Sequence, residues 1–260
     1  MGRFDGQVVW ITGGGSGIGR ACASEWAKQG AKVAVSGRRL EKLADAVEDV
    51  KALGGDALAV ACDVTDESAC NAAVEKIVDA WGRLDVVVAN AGYAVAGYAT
   101  KLDVNDFRRQ YETNVFGLLN TVYAALPHII EAKGRVALVG SVASYLAPPR
   151  MSAYSSAKAA VRAIGEGFAQ DLARDGVSVT VLCPGYVESE IQQVNNEGTH
   201  NPSAPIKRSA LFVAADVAAR DIISAVHRRK VIAPITGHGA VLVWLKRHMP
   251  WLMRAIIKRA

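Results

Sequence analysis

The chain is poor in the features that mark several protein classes. Its 260 residues hold four cysteines, Cys22, Cys62, Cys70 and Cys183, none in a C-x-x-C pair. That scarcity excludes a disulfide scaffold or a zinc framework and suits reduced core thiols in a cytoplasmic protein; no metal site is expected. No run reaches the roughly 18 apolar residues of a membrane span. The opening MGRFDGQVVW lacks the basic region leading into an apolar stretch that a secretory leader needs. Acids are missing altogether after Asp221, where eight Lys and Arg residues stand alone, which leaves −3 of the chain's +5 for residues 1–221. The basicity is local to the tail, and this argues against a nucleic-acid-binding surface spread over the fold.

What is present is apolar and alternating. Hydrophobic residues make up 51% of the chain, enough to bury a substantial core at this length. Seven short runs, at 7–12, 31–36, 57–62, 84–90, 135–140, 177–182 and 231–236, are mostly Val, Ala, Leu and Ile without alternation, which suits strands buried on both faces of a parallel sheet. Helical patterns fill 18–29, 39–53, 66–81, 103–131, 152–174 and 216–229, several opened by Ser, Thr or Asp. This alternation predicts an α/β fold, a doubly wound parallel sheet of about seven strands with helices on both faces. No composition break marks a second domain, so residues 1–239 read as one unit. Within it, 188–210 is polar and carries two prolines, either a flexible excursion near a substrate or an ordinary surface loop. Residues 240–260 form a basic, amphipathic extension.

The first strand runs into TGGGSGIGR (12–20). Glycines there let the backbone turn sharply and let a pyrophosphate approach the N-terminus of the next helix, where free N–H groups favour an anion. The literal G-x-G-x-x-G spacing fails because position 20 is Arg; the pattern is T-G-x-x-x-G-x-G, with Thr12, Gly13, Gly17 and Gly19. A Rossmann-like dinucleotide site is the expectation. The second strand ends in Gly37, Arg38 and Arg39. An acid there would hold ribose hydroxyls, whereas a guanidinium suits a 2′-phosphate, so Arg38 and Arg39 favour NADP over NAD unless they are merely solvated at a helix start. Asp63, closing the third strand, could accept from an adenine amino group.

Tyr154 and Lys158 lie one helical turn apart in YSSAK. A phenol is a poor base at neutral pH, but a neighbouring cation favours the phenolate. Taken with TGGGSGIG (12–19), DV (63–64), NAG (90–92), Asn114 in TNVFG, Ser141 in VGSVAS and PGYVES (184–189), the chain resembles the short-chain dehydrogenase/reductase family over about residues 5–235. The resemblance implies an oxidoreductase acting on a CH–OH group. In it, Tyr154 is the general acid/base, Lys158 also binds the nicotinamide ribose, Ser141 bonds the substrate oxygen and Asn114 holds a water in a proton path. It also implies a cofactor site of Gly13, Ser16, Gly17, Ile18, Gly19, Arg38, Arg39, Asp63, Val64, Asn90, Ala91, Gly92, Tyr154, Lys158, Pro184, Gly185, Val187 and Ser189. Ser189 stands where the family usually has Thr, and the hydroxyl is kept. Two rivals share the fold. A regulatory or scaffold protein that lost turnover is opposed by the intact Ser141, Tyr154, Lys158 and Asn114; an NAD-holding epimerase or dehydratase is opposed by the glycine spacing.

Tyr93, Tyr98, Tyr145, Leu146 and Met151, with Arg150 as the one charge, could line an apolar pocket. The expected substrate is therefore a small ketone or secondary alcohol on a lipid, steroid or aromatic body, and a homodimer or homotetramer is expected. Residues 240–260 depart from the family core. Trp244 and Trp251 interleave with Lys246, Arg247 and Arg254 around Pro250, which suits an interfacial helix on an anionic membrane, a cover for the pocket or a subunit contact.

Overall fold

Five of the seven strands are buried along almost their whole length, and the two that expose positions, at 57–61 and 232–235, are the outermost. The computed structural model describes residues 2–206 and 211–259. Strands β1 (Val8–Thr12), β2 (Lys32–Gly37), β3 (Ala57–Ala61), β4 (Val86–Ala89), β5 (Arg135–Val139), β6 (Ser178–Pro184) and β7 (Ile232–Ile235) form one parallel sheet in the order β3-β2-β1-β4-β5-β6-β7. Helices α1 (Gly17–Lys28), α2 (Leu40–Ala52), α3 (Glu67–Trp81), α4 (Val104–Tyr111), α5 (Gly117–Glu131), α6 (Ser152–Asp171) and α7 (Ala215–His227) connect them.

Alternation along each strand feeds two cores. In β1, Val9 and Ile11 face α1, α2 and α7, meeting Trp26, Leu43 and Ile222. Val8 and Trp10 face α3, α5 and α6, meeting Ile77, Val122 and Val161. Burying side chains of this size is worth about 1.5–3 kcal/mol each, so continuous apolar strands are the only ones that serve both layers. The Trp10 indole is polar at one atom, and Nε1 donates to Ser36 Oγ at 2.9 Å. Asp85, buried at the start of β4, accepts from Val8 N at 2.9 Å and from Arg83 Nη2 at 2.6 Å, tying the two central strands together.

The predicted helix 103–131 is divided. A π turn, Glu112–Phe116, separates α4 from α5; the apolar period runs through it unbroken, so the widened turn leaves no mark in the sequence. The predicted helix 152–174 ends at Asp171 in a tight turn, Leu172–Asp175, closed by Gly176 at φ 74°. After β7, α8 (Gly237–His248) and α9 (Pro250–Arg259) meet at Pro250, which opens the second helix as proline does at a first turn. Residues 207–210 of the predicted excursion and Ala260 of the extension lie outside the described residues.

Candidate active site

The strand order reverses between β1 and β4, and the residues singled out in the sequence gather beyond the carboxyl ends of β1, β2, β4, β5 and β6, where such sheets hold ligands. Gly13 (φ 63°) and Gly17 (φ 50°) occupy the left-handed region that side chains avoid. Gly19 is needed for space, since a Cβ there would overlap Gly13 O. Asn90 fixes this turn from the next strand: its Nδ2 donates to Thr12 O at 2.9 Å and to Gly13 O at 3.2 Å, while Ala91 N donates to Thr12 Oγ1 at 3.2 Å. Ser16 caps the start of α1 without spending its hydroxyl on the helix, and Ile18 packs partly buried against the core. The predicted phosphate cradle thus has a helix start beside it and a serine hydroxyl that accepts from Arg39 Nη2 at 3.3 Å rather than capping the helix.

At the exit of β2, Arg38 is exposed and its Nη2 donates to Gly198 O at 3.1 Å. Arg39 Nη2 donates to Glu190 Oε2 at 2.8 Å and to Ser16 Oγ at 3.3 Å, while its Nη1 is buried without a partner among the described residues. A buried guanidinium nitrogen without a partner, next to a glycine turn, fits an anionic group. Asp63 Oδ1 accepts from Thr65 N at 3.0 Å, closing its own turn. Val64 is buried, its carbonyl accepting from Asn120 Nδ2 at 3.0 Å; its side chain packs where Gly117 leaves room.

On the other half of the sheet, α6 carries Tyr154 and Lys158. Lys158 Nζ donates to Val139 O at 2.7 Å and lies 5.8 Å from the Tyr154 ring centroid. Burial pushes the ammonium down to about 8. Burial also pushes the Tyr154 phenol above its ordinary value, against a smaller lowering from its hydrogen bond with Ser141. The expected drop of the phenol under the influence of Lys158 is therefore not met by the side chains alone: the ammonium is directed at a carbonyl and desolvation dominates. Ser141 Oγ accepts from Ala143 N at 3.1 Å, leaving its own hydrogen to donate. Cys183 faces the same space, its thiol raised to about 11 by burial.

Asn114 sits in the π turn, 1% exposed, with both ends of its amide spent on one neighbour: Oδ1 accepts from Tyr93 N at 3.2 Å and Nδ2 donates to Tyr93 O at 3.0 Å. Gly92 lies directly over this amide. Pro184 ends β6, Gly185 N donates to Ile235 O at 3.2 Å, and Val187 is buried in a bridge to Val213. Ser189 rests on the glycine turn, so close that a Cβ on Gly17 would lie 2.9 Å from its own.

The predicted pocket residues separate. Tyr93 and Leu146 are buried, Met151 is half-buried, and Tyr145 lies under the Arg162 guanidinium at 4.9 Å. Tyr98 is 61% exposed and stacked on Arg150 at the rim. Sequence reasoning missed three residues of this region. Gln110 is fully buried, accepting from Val95 N at 2.6 Å and donating to Tyr93 O at 2.9 Å to fix the loop after β4. Glu190 and His200 come from the 188–206 excursion, which folds over the mouth: Asn196 exchanges two hydrogen bonds with the Ala96 backbone, at 3.0 and 3.2 Å. Arg39 and His200 flank Glu190, and although burial, the largest single influence, raises its carboxyl, the bond from Arg39 and the neighbouring charges of Arg39, His200 and Lys42 together hold it below the usual range.

A family model described as short chain dehydrogenase matches residues 7–200. The chain belongs to the short-chain dehydrogenase family. Among curated members, it is 36% identical over 188 residues to 11-beta-hydroxysteroid dehydrogenase A of Arachis hypogaea, covering 72% of this chain and 54% of that protein. It is 35% identical over 207 residues to an oxidoreductase of Thermotoga maritima, covering 79% of this chain and 82% of the other. The chain thus spans about half the length of the plant hydroxysteroid dehydrogenases it matches. A solved short-chain dehydrogenase/reductase from Burkholderia phymatum, in complex with NAD, superposes with a TM-score of 0.85 at 25% identity, covering 97% of this chain and 96% of that one.

Proposed function

We propose that this short-chain dehydrogenase is an NADP(H)-dependent oxidoreductase that interconverts a ketone and a secondary alcohol on a small apolar body. The observation that carries the reading is the pairing on α6 of Tyr154 with the buried Lys158 one helical turn away, its Nζ 5.8 Å from the Tyr154 ring centroid. Ser141, its oxygen already accepting from Ala143, donates to the substrate oxygen. Tyr154, kept protonated by burial, gives its proton to that oxygen as the carbonyl is reduced. Lys158, with a value near 8, stays mostly charged at neutral pH and stands ready to return the proton. Because the Asn114 amide is spent on Tyr93, a water on the proton path would be held by the Asn114 main-chain carbonyl in the π turn. When bound, the dinucleotide supplies the hydride.

Gly13, Ser16, Gly17, Ile18 and Gly19 would hold the pyrophosphate, and Asp63 and Val64 the adenine end. Asn90, Ala91, Gly92, Pro184, Gly185, Val187 and Ser189 would shape the nicotinamide end. Arg38 and Arg39 support NADP, the orphaned Arg39 Nη1 more than the exposed Arg38. The hydroxysteroid dehydrogenases among the relatives, with the buried Tyr93 and Leu146 here, support a lipid- or steroid-like substrate. A thermal-shift comparison tests the cofactor: NADPH is expected to stabilise the protein more than NADH, and the reverse order would defeat the assignment. NADPH absorbance on a carbonyl panel then tests the chemistry. Tyr154→Phe is expected to lose at least 100-fold in kcat while its NADPH affinity changes less than threefold; retained turnover would remove Tyr154 from its role.

Residues 1–239 act here as one catalytic unit. Exposed Phe107, Phe116, Tyr123 and Ile130 on α4, the π turn and α5 support a homodimer or homotetramer through that face. On α8 and α9, Trp244, Trp251 and Ile256 are exposed beside Arg247 and Arg254, which supports peripheral contact with an anionic membrane at its cytoplasmic surface.

A further inference from the structure

The two arginines at the exit of β2 are both held by the excursion that follows β6. Arg39 gives its Nη2 edge to Glu190 at 2.8 Å and to Ser16 Oγ at 3.3 Å, and keeps Nη1 buried and unpaired. Arg38 gives its Nη2 to Gly198 O at 3.1 Å. His200 Nε2 lies 3.5 Å from the same Glu190 oxygen that Arg39 binds, and it too is buried without a hydrogen bond. One carboxylate therefore sits beside Arg39 Nη2, with Arg39 Nη1 and His200 Nε2 nearby and making no hydrogen bond among the described residues. A phosphate, with three terminal oxygens, offers the guanidinium fork and the imidazole more acceptor positions than this carboxylate does.

We propose that Glu190 is a specificity-determining residue for the cofactor: its carboxylate occupies the edge of Arg39 that a ribose 2′-phosphate needs, and the phosphate must displace it to bind. This rests on the NADP assignment above and deepens it. A cofactor without the phosphate leaves the Glu190–Arg39 pair closed and the excursion latched over the mouth, with Ser189 against Gly17. A cofactor with the phosphate breaks the pair, takes up Arg39 Nη1, and releases the excursion from β2. The residue lowers the affinity for NADPH relative to what the arginines alone would give, and it couples the choice of cofactor to the position of the loop above the substrate site.

The test is a set of four full-length proteins, wild type, Glu190→Gln, Arg39→Gln and the double variant, titrated with NADPH and NADH by calorimetry. Glu190→Gln keeps the side-chain shape at a half-buried position and removes the charge. It is expected to tighten NADPH about tenfold, close to 1.4 kcal/mol, to change NADH less than twofold, and to have no effect in the Arg39→Gln background. Digestion with a protease of broad specificity gives a second readout, with saturating NADPH exposing residues 188–206 to cleavage and NADH not. If Arg39→Gln weakens NADPH but Glu190→Gln fails to tighten it, or tightens both cofactors alike, this inference is overturned and the NADP assignment stands. If Arg39→Gln leaves NADPH affinity unchanged, both fall.

Discussion

Among the described residues no carboxylate pairs with Lys158: its side chain is buried, and its acceptor is the Val139 carbonyl. Folding lowers this amine from 10.5 to about 8, so between those values the unfolded chain keeps a proton that the folded one has released. The contribution of this group to stability therefore rises with pH across that window, and its full penalty is present below about 8. Replacing Lys158 with Met is expected to make the cofactor-free protein more stable at pH 7, by on the order of 1–3 kcal/mol, with the gain shrinking as pH climbs from 8 toward 10.5. Urea unfolding of both proteins at pH 7, 8.5 and 10 measures it, and a gain independent of pH would contradict the assignment. At this scale the sequence was readable where partners are near in the chain. Tyr154 and Lys158 share a helix face, and the glycine turn is contiguous. The Arg39–Glu190 pair joins positions 151 apart, and no local period announces it. The raised Tyr154 phenol was missed for a related reason: spacing reveals a neighbouring charge but not the desolvation that opposes it.

At the level of elements, α6 delivers both catalytic candidates, and how near it lies to the sheet depends on Gly165. A Cβ at this position would overlap Val181 Cγ2 and approach Leu138 Cδ1 to 3.0 Å. Gly165→Ala gains helix propensity, yet overpacking a rigid interface costs about 1–3 kcal/mol. The expected outcome is a net loss of stability, a lower Tm of a few degrees, and a fall in kcat larger than any change in NADPH affinity, because the helix that carries Tyr154 is lifted while the glycine turn is not. An unchanged Tm and kcat would show that the sheet yields freely. Strands and most helices were legible because buried parallel strands must be continuously apolar and amphipathic helices periodic. The π turn was not, since the sequence 104–131 keeps one helical period through it. The loop after β4 was misread in part: nothing in GYAVAGYA distinguishes the buried Tyr93 from the exposed Tyr98, because loops lack a period that would sort inside from outside.

The whole molecule presents two apolar surfaces with different chemistry. The α4–α5 face carries Phe107, Phe116 and Tyr123, and Phe116→Asp is expected to reduce the oligomer by at least one subunit step in light scattering at micromolar concentration; an unchanged mass would exclude this face. The sequence after Asp221, which includes α8 and α9, holds basic residues and no acid. Vesicles with anionic lipid are expected to co-sediment the protein, purely zwitterionic vesicles are not, and Trp244→Ala with Trp251→Ala should abolish the difference. Topology was legible at this scale because alternating elements admit few right-handed arrangements, whereas the closure of the excursion depends on contacts made only once the chain is folded. The strand order has a last consequence. The oldest strand to leave the ribosome, β1, lies inside the sheet, with β2 and β3 added on one flank and β4 to β7 outward on the other. Each new strand has a finished neighbour waiting, so the polypeptide can assemble in the order it is made, and no gap must be held open for a later arrival.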